Sequence, residues 1–269
     1  MTKTIGGIGL HGMNRHQRIC VRIRHPRDRS TENIPVMPKS PVSKREAITL
    51  FERGRFRAAI SAFAKFASRD KKDYVALFYL ALSLYETGNL ASSLRYWKRL
   101  KKLGPSQRNV HLNLGCVYHA LNREDLAIRN YKRELQINAI SGEALYNLGT
   151  LYYRRHQYKE AVLYLEKCYA LKHSVKQIVD RLACSYFKTR QLEKEMALYY
   201  DWLREHPKDT WCLNNLGAAL MHAAEYNRAQ LILERAAKLD SSDEMVKRNL
   251  EKVRLIRKEM RPAGAERNL

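Results

Sequence analysis

Apolar residues recur at intervals of three and four along most of this chain, separated by charged and polar positions, which is the spacing of helices that each bury one stripe. That pattern itself repeats. The strings LNLGCVY (112–118), YNLGTLY (146–152) and NNLGAAL (214–220) stand in one 34-residue register, and DRLACSY (180–186) fills the period between the second and third. Extending the register in both directions gives six units without an insertion: 40–73, 74–107, 108–141, 142–175, 176–209 and 210–243.

Small and large side chains occupy fixed places in this frame. The eighth position reads Ala47, Ala81, Gly115, Gly149, Ala183 and Gly217, where a small side chain lets two helices approach. The twentieth reads Ala59, Ser93, Ala127, Ala161, Glu195 and Ala229, and is expected to meet the eighth from a second helix; Glu195 is the misfit. Position 24 carries Phe63, Trp97, Tyr131, Leu165, Tyr199 and Leu233, and position 11 carries Leu50, Leu84, Tyr118, Tyr152, Tyr186 and Leu220, all expected core. The seven prolines (Pro26, Pro35, Pro38, Pro41, Pro105, Pro207 and Pro262) fall outside the predicted helix interiors, where each would cost about 3 kcal/mol. Gly54 and Gly88 mark a turn between the two helices of their units. Ser43 and Glu46 stand where apolar residues are expected, so the first unit predicts an imperfect or late start.

A 34-residue period with this distribution of small and large residues resembles the tetratricopeptide repeat family, over residues 40–243 or about three quarters of the chain. The resemblance implies an all-α fold: a right-handed superhelical solenoid of antiparallel helix pairs, whose first helices line a concave groove. Residues 244–260 continue a helical pattern with Met245, Leu250, Val253 and Ile256 as the apolar set, and are expected to cap the stack. Residues 1–39, basic and proline-containing, and the tail 261–269 are expected to be disordered.

In the family, positions 2, 5, 6, 9, 12 and 13 of each unit face the groove. Carried onto this chain they nominate Tyr79, Tyr85, Asn113, Tyr146, Asn147, Tyr153, Arg181, Phe187 and Asn215 as groove residues. Asn113, Asn147 and Asn215 share position 6, with Arg181 in the intervening slot. An asparagine amide both donates and accepts, as a peptide unit does, so such a row could follow a partner's backbone. The aromatic residues are candidate anchors, with packing between units as the alternative. The family's carboxylate clamp for chaperone tails does not assemble, because Ile48 stands where its asparagine is expected after Lys44.

Charge widens the choice of partner. The formal net charge of +23 is spread as +6 over residues 1–39, +13 over 40–243 and +4 over 244–269. This favours an acidic partner protein or peptide, with RNA or an anionic membrane surface as the alternative and end-to-end self-association as a third reading. Five cysteines, odd in number and widely spaced, suggest neither a disulfide framework nor a Cys-x-x-Cys metal site, and fit a reducing, cytoplasmic setting. No apolar run is long enough to span a bilayer. A glycine-rich phosphate loop, a His-Glu-x-x-His helix and a Gly-x-Ser-x-Gly elbow are missing from the sequence, so the expectation is a non-catalytic scaffold with no cofactor and no metal.

Overall fold

The computed structural model describes residues 43–104, 106–107, 109–171 and 175–260; the segments 1–39 and 261–269 lie outside the described residues. The described residues form thirteen α-helices and no strand: α1 (Lys44–Glu52), α2 (Phe56–Arg69), α3 (Tyr74–Glu86), α4 (Leu90–Leu103), α5 (Val110–Ala120), α6 (Glu124–Ile137), α7 (Gly142–Arg154), α8 (Tyr158–Ala170), α9 (Lys176–Lys188), α10 (Leu192–Glu205), α11 (Thr210–His222), α12 (Tyr226–Leu239) and α13 (Glu244–Glu259). The chain divides into two compact units, with the boundary after Leu151, inside α7.

The turn inside each helix pair is built the same way six times. Position 15 takes a positive φ, at Gly54, Gly88, Asn122, His156, Arg190 and Ala224. The next N–H then reaches back five residues to the carbonyl of position 11, as in Arg55 to Leu50, Asn89 to Leu84 and Glu225 to Leu220, at 2.8–2.9 Å. This is the closure of a helix whose last carbonyls are satisfied by a left-handed residue. Only two of the six positions carry the glycine that such a backbone favours.

Helix starts follow the register too, except at α5 and at α9, where Val175 in the 34th position has no polar side chain to cap with. Asp73, Asp209 and Asp243 occupy the 34th position and cap α3, α11 and α13 by accepting the N–H of Ala76, Cys212 and Val246. Gln107 stands in that place ahead of α5 and supplies no cap. Instead the carboxylate of Glu134, fully buried on α6, accepts the N–H groups of Asn109 (3.0 Å) and Leu112 (3.2 Å). At the first helix, Ser43 and Glu46 form a reciprocal capping box, so the two polar residues that look misplaced for a core are what start α1 at Lys44.

In the unit ending at Leu151, Phe63 stacks on Tyr79 at 5.3 Å, Phe51 meets the same ring edge-on at 5.4 Å, and Phe78 packs edge-on to Trp97 at 5.1 Å. Trp97, Tyr131 and Phe63 lose all contact with water, each burial stabilising by about 2–3 kcal/mol. The small eighth position makes room for position 24 as well as meeting position 20. A Cβ on Gly115 would stand 2.4 Å from the Tyr131 ring, and in the second unit one on Gly217 would stand 2.6 Å from Leu233. Position 20 meets the backbone of position 8 where Ser93 donates to the Ala81 carbonyl at 2.8 Å.

In the unit beginning at Tyr152, Asp209 ties three helices together. Its carboxylate accepts from Trp202 Nε1 of α10 (3.0 Å), Lys176 Nζ of α9 (3.1 Å) and the Cys212 N–H of α11. Burial opposes its ionisation, yet these hydrogen bonds hold the carboxyl below its usual range. Arg235 on α12 donates to the Pro207 carbonyl, as Arg99 on α4 does to Lys71 within the other unit; both contacts span 28 residues. Each fastens a second helix to the turn preceding its own pair. Glu195 is buried on α10, at position 20 of its repeat; its Oε2 lacks a hydrogen-bond partner, and burial pushes its carboxyl up to about 7.

Candidate protein-binding face

The nine residues nominated from sequence divide between the two units. In the first, Tyr79 is buried between Phe51 and Phe63, and so serves the core. Tyr146 and Asn147 are each only 2% exposed. Asn147 donates its amide to Cys116 Sγ on α5 at 3.8 Å, and the Tyr131 hydroxyl donates to the same buried sulfur at 3.6 Å. Asn113 is half-buried and donates to the Asn109 carbonyl of its own helical turn at 2.7 Å. Tyr85 is half-buried. Four positions of this set, Tyr79, Cys116, Tyr146 and Asn147, are therefore closed, while Phe78, Leu82, Leu112, His119 and Thr150 are half-buried like Tyr85 and Asn113.

In the second unit the same positions stay open. On α9, Asp180, Phe187 and Lys188 are exposed and Arg181 and Cys184 half-buried, while Ile178, Val179, Leu182, Ala183, Ser185 and Tyr186 between them are buried. On α11, Trp211, Asn215, Ala218 and Met221 are half-buried and His222 exposed; Asn214 is the buried exception. On α13, Met245, Arg248, Lys252 and Leu255 are exposed and Asn249 and Ile256 half-buried. Residues spaced by three and four share one side of a helix, so each of these helices turns a continuous stripe to solvent.

Contacts between adjacent positions of the frame, 12 with 13 and 5 with 6, place these stripes side by side. The Phe187 ring lies 5.0 Å from His222, joining α9 to α11. Asn249 donates to Asn214 Oδ1 at 2.8 Å, joining α11 to α13. At the other edge Tyr153 donates its hydroxyl to Cys184 Sγ at 3.4 Å; this hydrogen bond, with burial and nearby negative charge, pushes the phenol well above its usual range. Asn249, 34 residues after Asn215, repeats position 6. Sequence reasoning overlooked it because α13 was considered only for its apolar set, although continuing the register by one more period would have found it.

Among the described residues no group of three His, Cys, Asp or Glu side chains is placed to hold a metal ion. Nor is any described helix long and apolar enough to cross a membrane. Cys212, whose thiol burial pushes up to about 12, lies in the core rather than on the face.

Family models described as tetratricopeptide repeat match residues 44–108, 81–143 and 142–175. The chain belongs to the tetratricopeptide repeat family. Tetratricopeptide repeat protein 21A from Homo sapiens is 24% identical over 163 residues, covering 58% of this chain and 12% of the relative. The chain thus spans about an eighth of the length of that curated relative. Among solved structures, YrrB, described as a TPR protein with an unusual peptide-binding site, superposes with a TM-score of 0.62 at 18% identity, covering 72% of this chain and all of that one. The C-terminal part of a TPR repeat-containing protein from Cytophaga hutchinsonii gives a TM-score of 0.66 at 15% identity, covering 78% of this chain and 84% of that one.

Both structural likenesses show the all-α tetratricopeptide fold. Tetratricopeptide repeat proteins are in general scaffolds for protein–protein interaction. In this chain the first-helix frame positions are buried at Tyr79, Cys116, Tyr146 and Asn147 in one unit and at Asn214 alone along α9 and α11 in the other.

Proposed function

We propose that this tetratricopeptide repeat chain is a non-catalytic adaptor that holds an extended segment of a partner protein against its first-helix face. One observation carries the reading: along α9 and α11 nearly every position of the frame's binding set is reachable by solvent while the positions between are buried, and on α13 the whole set (Met245, Arg248, Asn249, Lys252, Leu255 and Ile256) stays reachable. A face that is open only at recurring intervals of three and four matches an elongated ligand that touches successive helices. Neighbouring packed helices lie about 10 Å apart and an extended chain advances about 3.3 Å per residue, so each helix would meet about every third partner residue. The peptide-binding site named for YrrB supports the same use of the fold by analogy.

Within this proposal Phe187 is an anchor, since an exposed aromatic ring contributes much binding energy for little entropy lost. Asn215 and Asn249 offer amides to a partner backbone. Tyr79, Tyr146 and Asn147 act from beneath, by fixing the helices that carry the face.

Affinity capture from cell extract, with and without nuclease, tests the reading. The tagged chain should recover the same partner proteins in both arms, and the double variant Phe187→Ala, Asn215→Ala should reduce recovery at least about tenfold. Exposed Leu163 and Leu231, on second helices, supply the control, and their replacement by serine should leave recovery unchanged. Collapse of all recovery after nuclease treatment would contradict the proposal in favour of an RNA-bridged association.

A further inference from the structure

Building on that reading, we infer that the α9–α11–α13 face takes an acidic partner segment carrying an apolar side chain, and that Lys188, Arg248 and Lys252 select it while Phe187 and Leu255 receive the apolar group. The charges on this face are unequal. Arg181, Lys188, Arg248 and Lys252 stand among its positions, against Asp180 and Glu244. His222 sits beside Phe187. Glu244 is already engaged by Lys247 at 2.8 Å, and the neighbouring Lys176 is committed to Asp209 at 3.1 Å. Arg254 and Arg257, on the other sides of α13, are bound to Glu234 and Gln230. Lys188, Arg248 and Lys252 make no ion pair among the described residues; Lys188 Nζ stands over the Phe187 ring, 5.9 Å from its centroid, and Arg248 acts on Glu244 only through its charge.

Apolar groups stand among these cations on the same stripes. Phe187 is 38% exposed, Leu255 57% and Met245 56%. Cations alone would attract any polyanion, and exposed apolar side chains alone any oily surface. Together they select an anionic segment with at least one leucine- or phenylalanine-sized group, because each feature penalises a ligand that lacks its complement. The link between Phe187 and His222 and the bond from Asn249 to Asn214 keep the three helices in register, so the cations of α9 and α13 flank the apolar positions as one surface.

The test uses the full chain and a fluorescein-labelled twelve-residue peptide of eight glutamates interrupted by two Leu-Phe pairs, read by fluorescence anisotropy. Two further peptides replace the Leu-Phe pairs by serine, or the glutamates by lysine. The glutamate peptide with Leu-Phe should bind, the serine version should bind at least about tenfold more weakly, and the lysine version should not bind. The double variant Lys188→Glu, Lys252→Glu should weaken binding at least about tenfold and Phe187→Ala about fivefold. Lys98→Glu, Lys102→Glu on the exposed side of α4 should change it less than about twofold, with circular dichroism checking that each variant folds.

No binding of the first peptide, equal binding of the serine peptide, or an equal loss in the α4 control would overturn the inference. These failures are distinguishable from failure of the adaptor reading. If capture of partner proteins still depends on Phe187 and Asn215 while the acidic peptide does not bind, only the partner chemistry falls; if capture is also insensitive to those residues, both fall.

Discussion

At Ala224 the backbone turns with φ of 59° on a residue whose Cβ makes that conformation costly by about 1–2 kcal/mol. Arg190 and His156 bear the same strain at 60° and 57°. The Schellman-type closure behind them fixes the conformation whatever side chain is present, and the packed helix pair makes up the cost. Ala224→Gly should therefore raise stability by about 0.5–1 kcal/mol, a gain of about 2 °C in thermal midpoint, because glycine relieves the strain but frees the unfolded chain. Gly88→Ala should lose a comparable amount. Equal midpoints for all three proteins would contradict this account of the turn. The requirement at position 15 was half-legible in sequence: Gly54 and Gly88 announced a turn, but Asn122, His156, Arg190 and Ala224 share no side-chain property that reveals a common φ.

Glu195 was legible as a misfit, and its physical consequence follows from burial. Its carboxyl titrates near 4.5 when the chain is unfolded and is pushed up to about 7 in the fold. The fold thus prefers the protonated form, so this residue costs nothing below about pH 4.5 and reduces stability progressively as pH rises through 7. Burial alone drives this shift, and the Tyr199 phenol, on which Glu195 acts electrostatically, brings no positive charge to relieve it. Glu195→Ala restores the residue found in this register at Ala59, Ala127, Ala161 and Ala229. Denaturation across pH should show the variant about 3 kcal/mol more stable than the parent at pH 8 and little different at pH 4. A pH-independent difference would contradict the burial argument.

At the scale of helices, the 34-residue spacing of apolar positions located the elements because each helix buries a stripe whose period is set by its own geometry. Helix starts were legible where the cap is local, as at Asp73 and Asp209, and illegible at α5, whose cap comes from Glu134 on the following helix. No local pattern announces a cap from 25 residues away. Removing it should matter more than removing an ordinary one, since the carboxylate is fully buried and satisfies two backbone donors. Glu134→Ala should destabilise by about 2–3 kcal/mol in chemical denaturation, and Glu134→Gln, which keeps an acceptor, by less. A neutral Glu134→Ala would mean that other groups take over the Asn109 and Leu112 N–H groups. Ser43 and Glu46 illustrate the reverse error, since a capping box looks like a defect when a segment is judged only by its apolar positions.

For the molecule as a whole, the repeat made the all-α tetratricopeptide fold readable from sequence, and the frame nominated a face. What the frame could not supply was exposure. Tyr79 shares position 6 with Asn215, yet Phe51 and Phe63 close over the first while the second stays half-open, because the bulk of neighbouring side chains, not the register, decides which rungs reach solvent. Asn249 was hidden for a different reason: it lies beyond the six units of the frame, where the position-6 asparagine recurs on α13. The central claim is that a partner protein lies along the first-helix face. Site-specific photo-cross-linking in cells measures this most directly, with a benzophenone amino acid placed singly at Phe187, Asn215 or Lys252 on the face and at Leu163, Ala197 or Leu231 on exposed sides of second helices. The account predicts one shared set of cross-linked proteins from the three face positions and none of that set from the second-helix positions. Equal cross-linking from both groups, or no cross-link from the face, would contradict it.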